Sequence, residues 1–158
     1  MTAAYDPLTY RPREAAPGLM GRVRVALLDA LDAELEPFGL KASDYIVLVT
    51  LANDQQLTAS SVCSVIAHDP GAMTRKIDSL EKKGLVRRVR SETDRRAIHL
   101  ELTPECRKLF PRMMNAVVGV INEFLHGFSK AEVREMESML KRILANAEAR
   151  ESRKKDAA

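Results

Sequence analysis

The sequence predicts a mainly α fold with one small β-hairpin, which places the chain in the α+β class. Three observations carry that expectation. Apolar residues recur at three- and four-residue spacing through most of the chain, the signature of helices with one buried stripe. Strict alternation is confined to one place, where Ile98, Leu100 and Leu102 interleave with Ala97, His99 and Glu101. Between the periodic segments stand helix stops and starts: Pro37 and Gly39, Asp69-Pro70, Gly84, Thr103-Pro104 and Gly127.

Residues 1–13 are polar, contain Pro7 and Pro12, and read as a flexible arm. From Glu14 a first helix carries Leu19, Met20, Val23, Leu27, Ala30, Leu31 and Leu35 and stops at Pro37 and Gly39. A second opens at Ala42 or Ser43, carries Tyr45, Ile46, Leu48, Val49 and Leu51, and ends at Asn53-Asp54. Thr58 is a good N-cap for a short third helix with Val62, Val65 and Ile66 facing inward. After His68 in the turn, Asp69 caps a fourth helix. Pro70 takes its first position, where a missing N–H removes no bond. Met73, Ile77 and Leu80 form its apolar side, and Gly84 closes it.

The hairpin comes next. Val86 and Val89 mark the outgoing strand, Ser91 to Arg95 the turn, and Ile98 to Leu102 the return. Thr103-Pro104-Glu105 then restarts a helix with cap, proline and acid in order. Its stripe runs from Leu109 and Phe110 to Phe124 and Leu125. Pro111 should bend it, since it lacks the N–H that would bond Arg107. Ser129 and Glu132 form a capping box for the last helix, whose stripe is Val133, Met136, Met139, Leu140, Ile143 and Leu144. The charged tail from Arg150 should fray. The expected organisation is an arm over 1–13, an N-terminal helix over 14–40, a compact unit over 41–103, C-terminal helices over 104–149 and a tail over 150–158.

Composition narrows the function. With 158 residues, 46% of them hydrophobic, the chain supports one domain, or one small domain with helical additions. No N-terminal apolar segment resembles a secretion signal. The longest apolar run, Tyr45 to Ala52, is too short to cross a bilayer, so no membrane partner is expected. Two cysteines, Cys63 and Cys106, match neither a disulfide framework nor a metal-ligand spacing, which points to a reducing cytoplasm. No phosphate loop, nucleophile–base pair or histidine cluster appears, since His68, His99 and His126 are scattered. The expectation is therefore no enzyme, no cofactor and no metal.

Charge points to a partner. Between Asp69 and Arg96 nine cations face five anions, whereas the rest of the chain has 16 against 17. A positive field on one segment is the footprint expected of nucleic-acid binding. Helices two to four with the hairpin make a helix-turn-helix with a wing, and the fourth helix is its reader. Gly71, Ala72, Thr74, Arg75 and Lys76 lie in its first two turns, the part that reaches base edges. Small residues there admit close approach, Arg75 can fork to guanine, and Thr74 can reach a base or its methyl group. Thr58, Ser60 and Ser61 are placed to bond phosphates. Arg88, Arg90, Arg95 and Arg96 make the wing basic, and an arginine tip suits the negative potential of a narrow minor groove. Asp94 is an acid at a basic tip, which makes sense if it pins an arginine such as Arg96.

The stretch Asp94-x-Arg96, five residues, then Leu102-Thr103 resembles the wing signature of the MarR family of transcriptional regulators. Pro70-Gly71-Ala72-Met73-Thr74-Arg75 and Leu80-Glu81-Lys82-Lys83-Gly84-Leu85-Val86 are similar to that family's recognition helix. The motif covers residues 69–103, and the helix order extends the resemblance over roughly 14–148. The resemblance implies a winged helix-turn-helix with N- and C-terminal dimerisation helices. It implies a homodimer on a pseudo-palindromic operator in double-stranded DNA, and a repressor released by a small ligand, often aromatic or phenolic. The apolar stripes of the first, fifth and sixth helices agree with pairing, because the winged unit is too small to cover them. Half-sites should then lie about one helical turn apart.

The same resemblance places an effector between the dimer helices and the DNA-binding lobe, with Arg24, Tyr45 and His68 as candidate contacts. A redox switch is the alternative. Some relatives carry a sensing cysteine near the start of the first helix, and this chain has none there. Cys106 is the better redox candidate, because the N-terminus of the fifth helix should lower its pKa; Cys63 reads as a small buried hydrophobe. A winged-helix module that binds protein instead of DNA is the other reading.

Overall fold

The structure, a computed structural model, describes residues 3–54, 57–66, 69–90 and 98–156. Elements follow in the order α1 (Ala16–Leu35), a 3₁₀ turn (Glu36–Phe38), α2 (Ala42–Asn53), α3 (Ala59–Ile66), α4 (Pro70–Lys82), β1 (Val86–Arg90), β2 (Ile98–Leu102), α5 (Pro104–Phe124) and α6 (Lys130–Asp156). Every expected element is present, and the fold is a winged helix-turn-helix. No helix among the described residues is long and apolar enough to cross a membrane. The hairpin tip with Asp94, Arg95 and Arg96, together with His68 and the side chain of Val65, lies outside the described residues.

Contacts divide the chain into two units, Met1–Ile121 and Asn122–Ala158. In the first, one core gathers Leu35 from α1, Leu48 and Leu51 from α2, Val62 from α3, Met73, Ile77 and Leu80 from α4, Leu100 and Leu102 from β2, and Met113 from α5. Each of these side chains contributes roughly 1.5–3 kcal/mol by leaving water. Only the C-terminal half of α1 joins this core, through Leu31 and Leu35. Leu19 and Val23 point outward at 45% and 57% exposure.

The helix ends show why the boundaries fall where they do. α1 begins at Ala16, two residues after the expected Glu14, and has no side-chain cap of its own. The Tyr5 hydroxyl instead accepts from the Ala16 N–H at 3.1 Å. Tyr5 also meets Tyr10 edge-on at 5.1 Å. The arm expected to be loose is thus exposed but tied to the helix it precedes. α2 opens at Ala42, the first of the two expected starts. Its leading N–H groups are taken by acids: Asp44 accepts from Lys41 at 3.1 Å, and Asp32 of α1 accepts from Ala42 at 2.7 Å. Asp69 accepts from the Ala72 N–H at 2.8 Å, as a cap should. Gly84, with φ of +70°, then turns the chain from α4 into β1, a conformation that disfavours any side chain.

β1 and β2 pair antiparallel, with Val86 opposite Leu102, Arg88 opposite Leu100 and Arg90 opposite Ile98. Leu100 and Leu102 face the core, while Ile98, at the distal end, is 48% exposed. Leu57 and Thr58 add a short third edge that the sequence reading missed. The Leu100 N–H donates to the Leu57 carbonyl at 2.9 Å, and Thr58 bridges to His99. α5 continues on both sides of Pro111.

The second unit begins within α5, turns at Gly127 with φ of +87°, and continues into α6. Glu132 accepts from the Ser129 N–H at 2.8 Å, and the Ser129 hydroxyl caps Glu132 in return, which completes the expected box. The tail expected to fray from Arg150 is instead helical to Asp156. Ala145, Ala147 and Ala149 are strong helix formers, Glu151 stands four residues before Lys155, and Arg153, Lys154 and Lys155 complement the C-terminal dipole.

Asp69→Ala should lower the unfolding free energy by about 1 kcal/mol through loss of the cap. Ile77→Ala, from the fully buried face of the same helix, should cost about 2–5 kcal/mol. Urea denaturation followed by circular dichroism measures both, and equal losses would contradict this division between cap and core.

Candidate nucleic-acid interface

α4 presents two faces because its sequence is divided that way. Met73, Ile77 and Leu80 are buried, whereas Gly71, Thr74 and Arg75 are exposed and Ala72 is half-buried. Thr74 returns its hydroxyl to the Pro70 carbonyl at 3.0 Å, which leaves its methyl group and an oxygen lone pair for a partner. A methyl group added at Gly71 would sit 3.3 Å from the Asp69 carboxylate and 3.7 Å from the Arg75 guanidinium. Gly71 therefore keeps the cap clear, while the distance to Arg75 is that of an ordinary contact. Just before α3, the Thr58 hydroxyl accepts from the Ser61 N–H at 3.2 Å and lies 2.9 Å and 3.0 Å from the Ser60 and Ser61 hydroxyls. The Ser60 side is exposed. A shallow groove lined by Ala59, Ser60, Cys63, Ser64, Pro70 and Thr74 runs between α3 and α4.

Two cations expected to be available for DNA have internal partners. Lys76 points to the start of α2, where its ammonium donates to Asp44 at 2.7 Å and to Ser43 at 2.8 Å. It lies on the face of Met73 and Leu80, not that of Arg75. Arg88 shares a strand face with Val86, and its guanidinium reaches back to α4, to Asp78 at 2.7 Å and to Glu81. The hydrogen bond to Asp78 and the charge of Glu81 push its pKa further above the ordinary guanidinium value. Arg87 pairs across the strands with Glu101 at 2.7 Å. Among the described residues, Arg75, Lys82 and Arg90 enter no ion pair. The available positive charge is thus narrower than the sequence total suggests: Arg75 in the first turns of α4, Lys82 at its end and Arg90 at the far end of β1.

Asp44 was not singled out from the sequence, yet it is the one charged residue among those described that is buried. Its carboxylate takes hydrogen bonds from Lys76 and from the Lys41 N–H, and Lys83 stands 3.7 Å away. Burial opposes its charge, but those two hydrogen bonds and the charges of Lys76 and Lys83 outweigh it. They hold the carboxyl below its ordinary value of 3.8. Only the capping position of Asp44, two residues into α2, was visible as a signal.

The two candidate effector contacts that are described, Arg24 and Tyr45, do not line one cavity. Arg24 lines a cavity of about 350 Å³ with Leu28, Ser43, Ile46, Thr50, Ile66 and Met73. Tyr45 is not among these residues. It is buried against α5, stacked on Phe110 at 6.2 Å, with its hydroxyl 3.2 Å from the Met114 sulfur. Tyr45 is therefore core, and burial raises its pKa. His68 lies outside the described residues.

The two cysteines also reverse the expected order. Cys106 is fully buried at the start of α5, and burial pushes its thiol up to about 11, against a small lowering by Arg107. Desolvation outweighs the helix dipole there. Cys63, expected to be buried, is only half-buried and borders the groove between α3 and α4. No group of three or more metal-ligating side chains occurs among the described residues.

This geometry has close counterparts. The sequence profile of the MarR family matches residues 38–97. The HTH-type transcriptional regulator PecS of Dickeya dadantii is 27% identical over 129 residues, which span 80% of this chain and 78% of PecS. Among solved structures, CouR from Rhodococcus jostii RHA1 bound to p-coumaroyl-CoA is 26% identical. The match covers 85% of this chain and 95% of CouR with a TM-score of 0.76. A cysteine-to-serine mutant of MarR from E. coli complexed with operator DNA is 25% identical. That match covers 86% of this chain and 99% of MarR with a TM-score of 0.74.

A Cys63→Ser protein should expose no reactive thiol at pH 8, because Cys106 is buried and protonated there. Labelling with a maleimide should follow unfolding by urea, and rapid labelling of the folded protein would overturn the assignment.

Proposed function

We propose a function from one premise: the chain belongs to the MarR family, and is a DNA-binding transcriptional regulator with a winged helix-turn-helix. On that premise we read it as a homodimeric repressor, not an enzyme, that acts on chromosomal DNA in the cytoplasm. It holds a pseudo-palindromic operator until a small ligand enters. The observation that carries the reading is the divided α4, with three apolar residues buried and Thr74 and Arg75 left outward. A helix so divided can lie in a major groove with its N-terminal turns against the bases.

Roles follow from position. Thr74 and Arg75 contact base edges, and Gly71 and Ala72 let the backbone come close. Thr58, Ser60 and Ser61 bond phosphates. Arg90 supports a wing whose tip, Arg95 and Arg96 oriented by Asp94, enters the minor groove. Lys76 and Arg88 act indirectly, since their charges are taken by Asp44 and by Asp78 with Glu81.

Uncovered apolar surface supports the homodimer. Leu19 and Val23 on α1, Val118 and Phe124 on α5, and Met139 and Leu144 on α6 are all at least 41% exposed. In water such stripes favour a second copy. The cavity beside Arg24 has the size of a small aromatic molecule, and the CouR neighbour was solved with p-coumaroyl-CoA bound. A ligand there weakens DNA binding if it prefers a spacing of the two readers that the operator does not.

Selection of bound fragments from randomised DNA should recover an inverted repeat whose half-sites lie about one helical turn apart. Affinity for it should fall steeply with salt as counterions are released. Arg75→Ala should reduce preference for the selected duplex over a shuffled one by about 1–3 kcal/mol, while Arg96→Ala should weaken both. Recovery of no common sequence would remove the operator reading. A monomer at micromolar concentration by sedimentation would remove the dimer.

A further inference from the structure

Lys76 on α4 and Lys83, the residue that caps its C-terminus, lie seven residues apart, and both reach the segment around the start of α2. Lys76 donates to Asp44 and Ser43; Lys83 donates to the Gly39 carbonyl at 2.6 Å and stands 3.7 Å from Asp44. Asp44 is 7% exposed, and the Lys76 side chain 18%. The two anchors are about two helical turns apart, roughly 10 Å along the axis. The apolar contacts of Met73, Ile77 and Leu80 hold α4 against the core but are non-directional. A side-chain ion pair is directional. Arg75 precedes Lys76 by one residue, so their side chains leave the helix about 100° apart. Whatever fixes Lys76 therefore fixes the direction in which Arg75 leaves the helix.

We infer that Asp44 is a positioning residue for DNA recognition: by gripping Lys76 and flanking Lys83, it sets the roll of α4 about its axis and so which base edges Thr74 and Arg75 meet. The inference rests on the reading that α4 meets the bases. A buried ion pair of this kind is a poor source of stability, because desolvation offsets its attraction; its established use is to select one arrangement among several. The Lys76 charge is neutralised in place, so the pair should govern discrimination and leave general affinity for a duplex alone.

The test uses the full-length protein, the tightest duplex recovered by selection and a shuffled duplex of the same composition. Asp44→Asn keeps an acceptor for the Lys41 N–H, and Lys76→Met keeps an unbranched stem as far as Cε without the charge. The double variant should melt close to wild type and bind the shuffled duplex within about threefold of wild type. Its preference for the selected duplex should fall at least tenfold. Lys76→Met alone, with Asp44 still beside Lys83 and the Lys41 N–H, should show the same loss with an unchanged salt slope. Asp44→Glu, which keeps a carboxylate for Lys76, should retain discrimination close to wild type. Unchanged preference in the double variant and in Lys76→Met overturns the inference, and so does a parallel fall in affinity for both duplexes. A wild type without preference for any duplex would instead remove the reading of α4 on which the inference rests.

Discussion

The architecture depends on the buried edge of α4. Met73, Ile77 and Leu80 share one core with residues from α2, α3 and β2, so the reader is held from three sides. Losing any of these contacts would leave a cavity in a core that relaxes only in part. The same constraint decides what is left over. Once one face of a 13-residue helix is committed to the core, the exposed residues of the first two turns are Pro70, Gly71, Thr74 and Arg75.

Electrostatics then sharpens what packing divides. The segment is rich in cations, but much of that charge stabilises its own neighbours: Arg88 bridges α4 and the wing, Arg87 joins the two strands, and Lys76 enters the base of α2. A wing secured to its reader by Asp78 and Glu81 moves with the reader. Exposed pairs such as Arg87–Glu101 add little to stability, on the order of 0–1 kcal/mol. Their effect is to remove cations from competition for phosphate and leave Arg75, Lys82 and Arg90 without an ion pair among the described cations of that segment.

Local chemistry made most of the fold legible from sequence. Asp69-Pro70, Gly84 and Ser129 with Glu132 are caps whose partners lie within a few residues, and each sits where the pattern placed it. The features that escaped depend on residues far apart in the chain. Lys76 finds Asp44 32 residues away, and nothing near Lys76 distinguishes a lysine turned inward from one turned outward. Cys106 was judged by its helix terminus, a local feature, whereas its thiol is governed by burial, a property of the whole core. Tyr45 looked like a pocket lining because it is polar at one end, but the ring packs on Phe110 and only the hydroxyl meets a partner, a sulfur. Charge alone argues for a frayed tail beyond Arg150, but the alanines before it carry the helix on to Asp156.

Thr58 has a consequence for anyone who would rebuild this molecule. It caps α3 through Ser61 and, together with Leu57, joins the edge of β2. One short stretch of chain thus belongs to the helix pair and to the hairpin at once. A graft that exchanged only residues 69–103 with a relative would set the wing against a strand edge from a different sequence. The smallest transplantable recognition module begins at Leu57, upstream of both the reader and the wing.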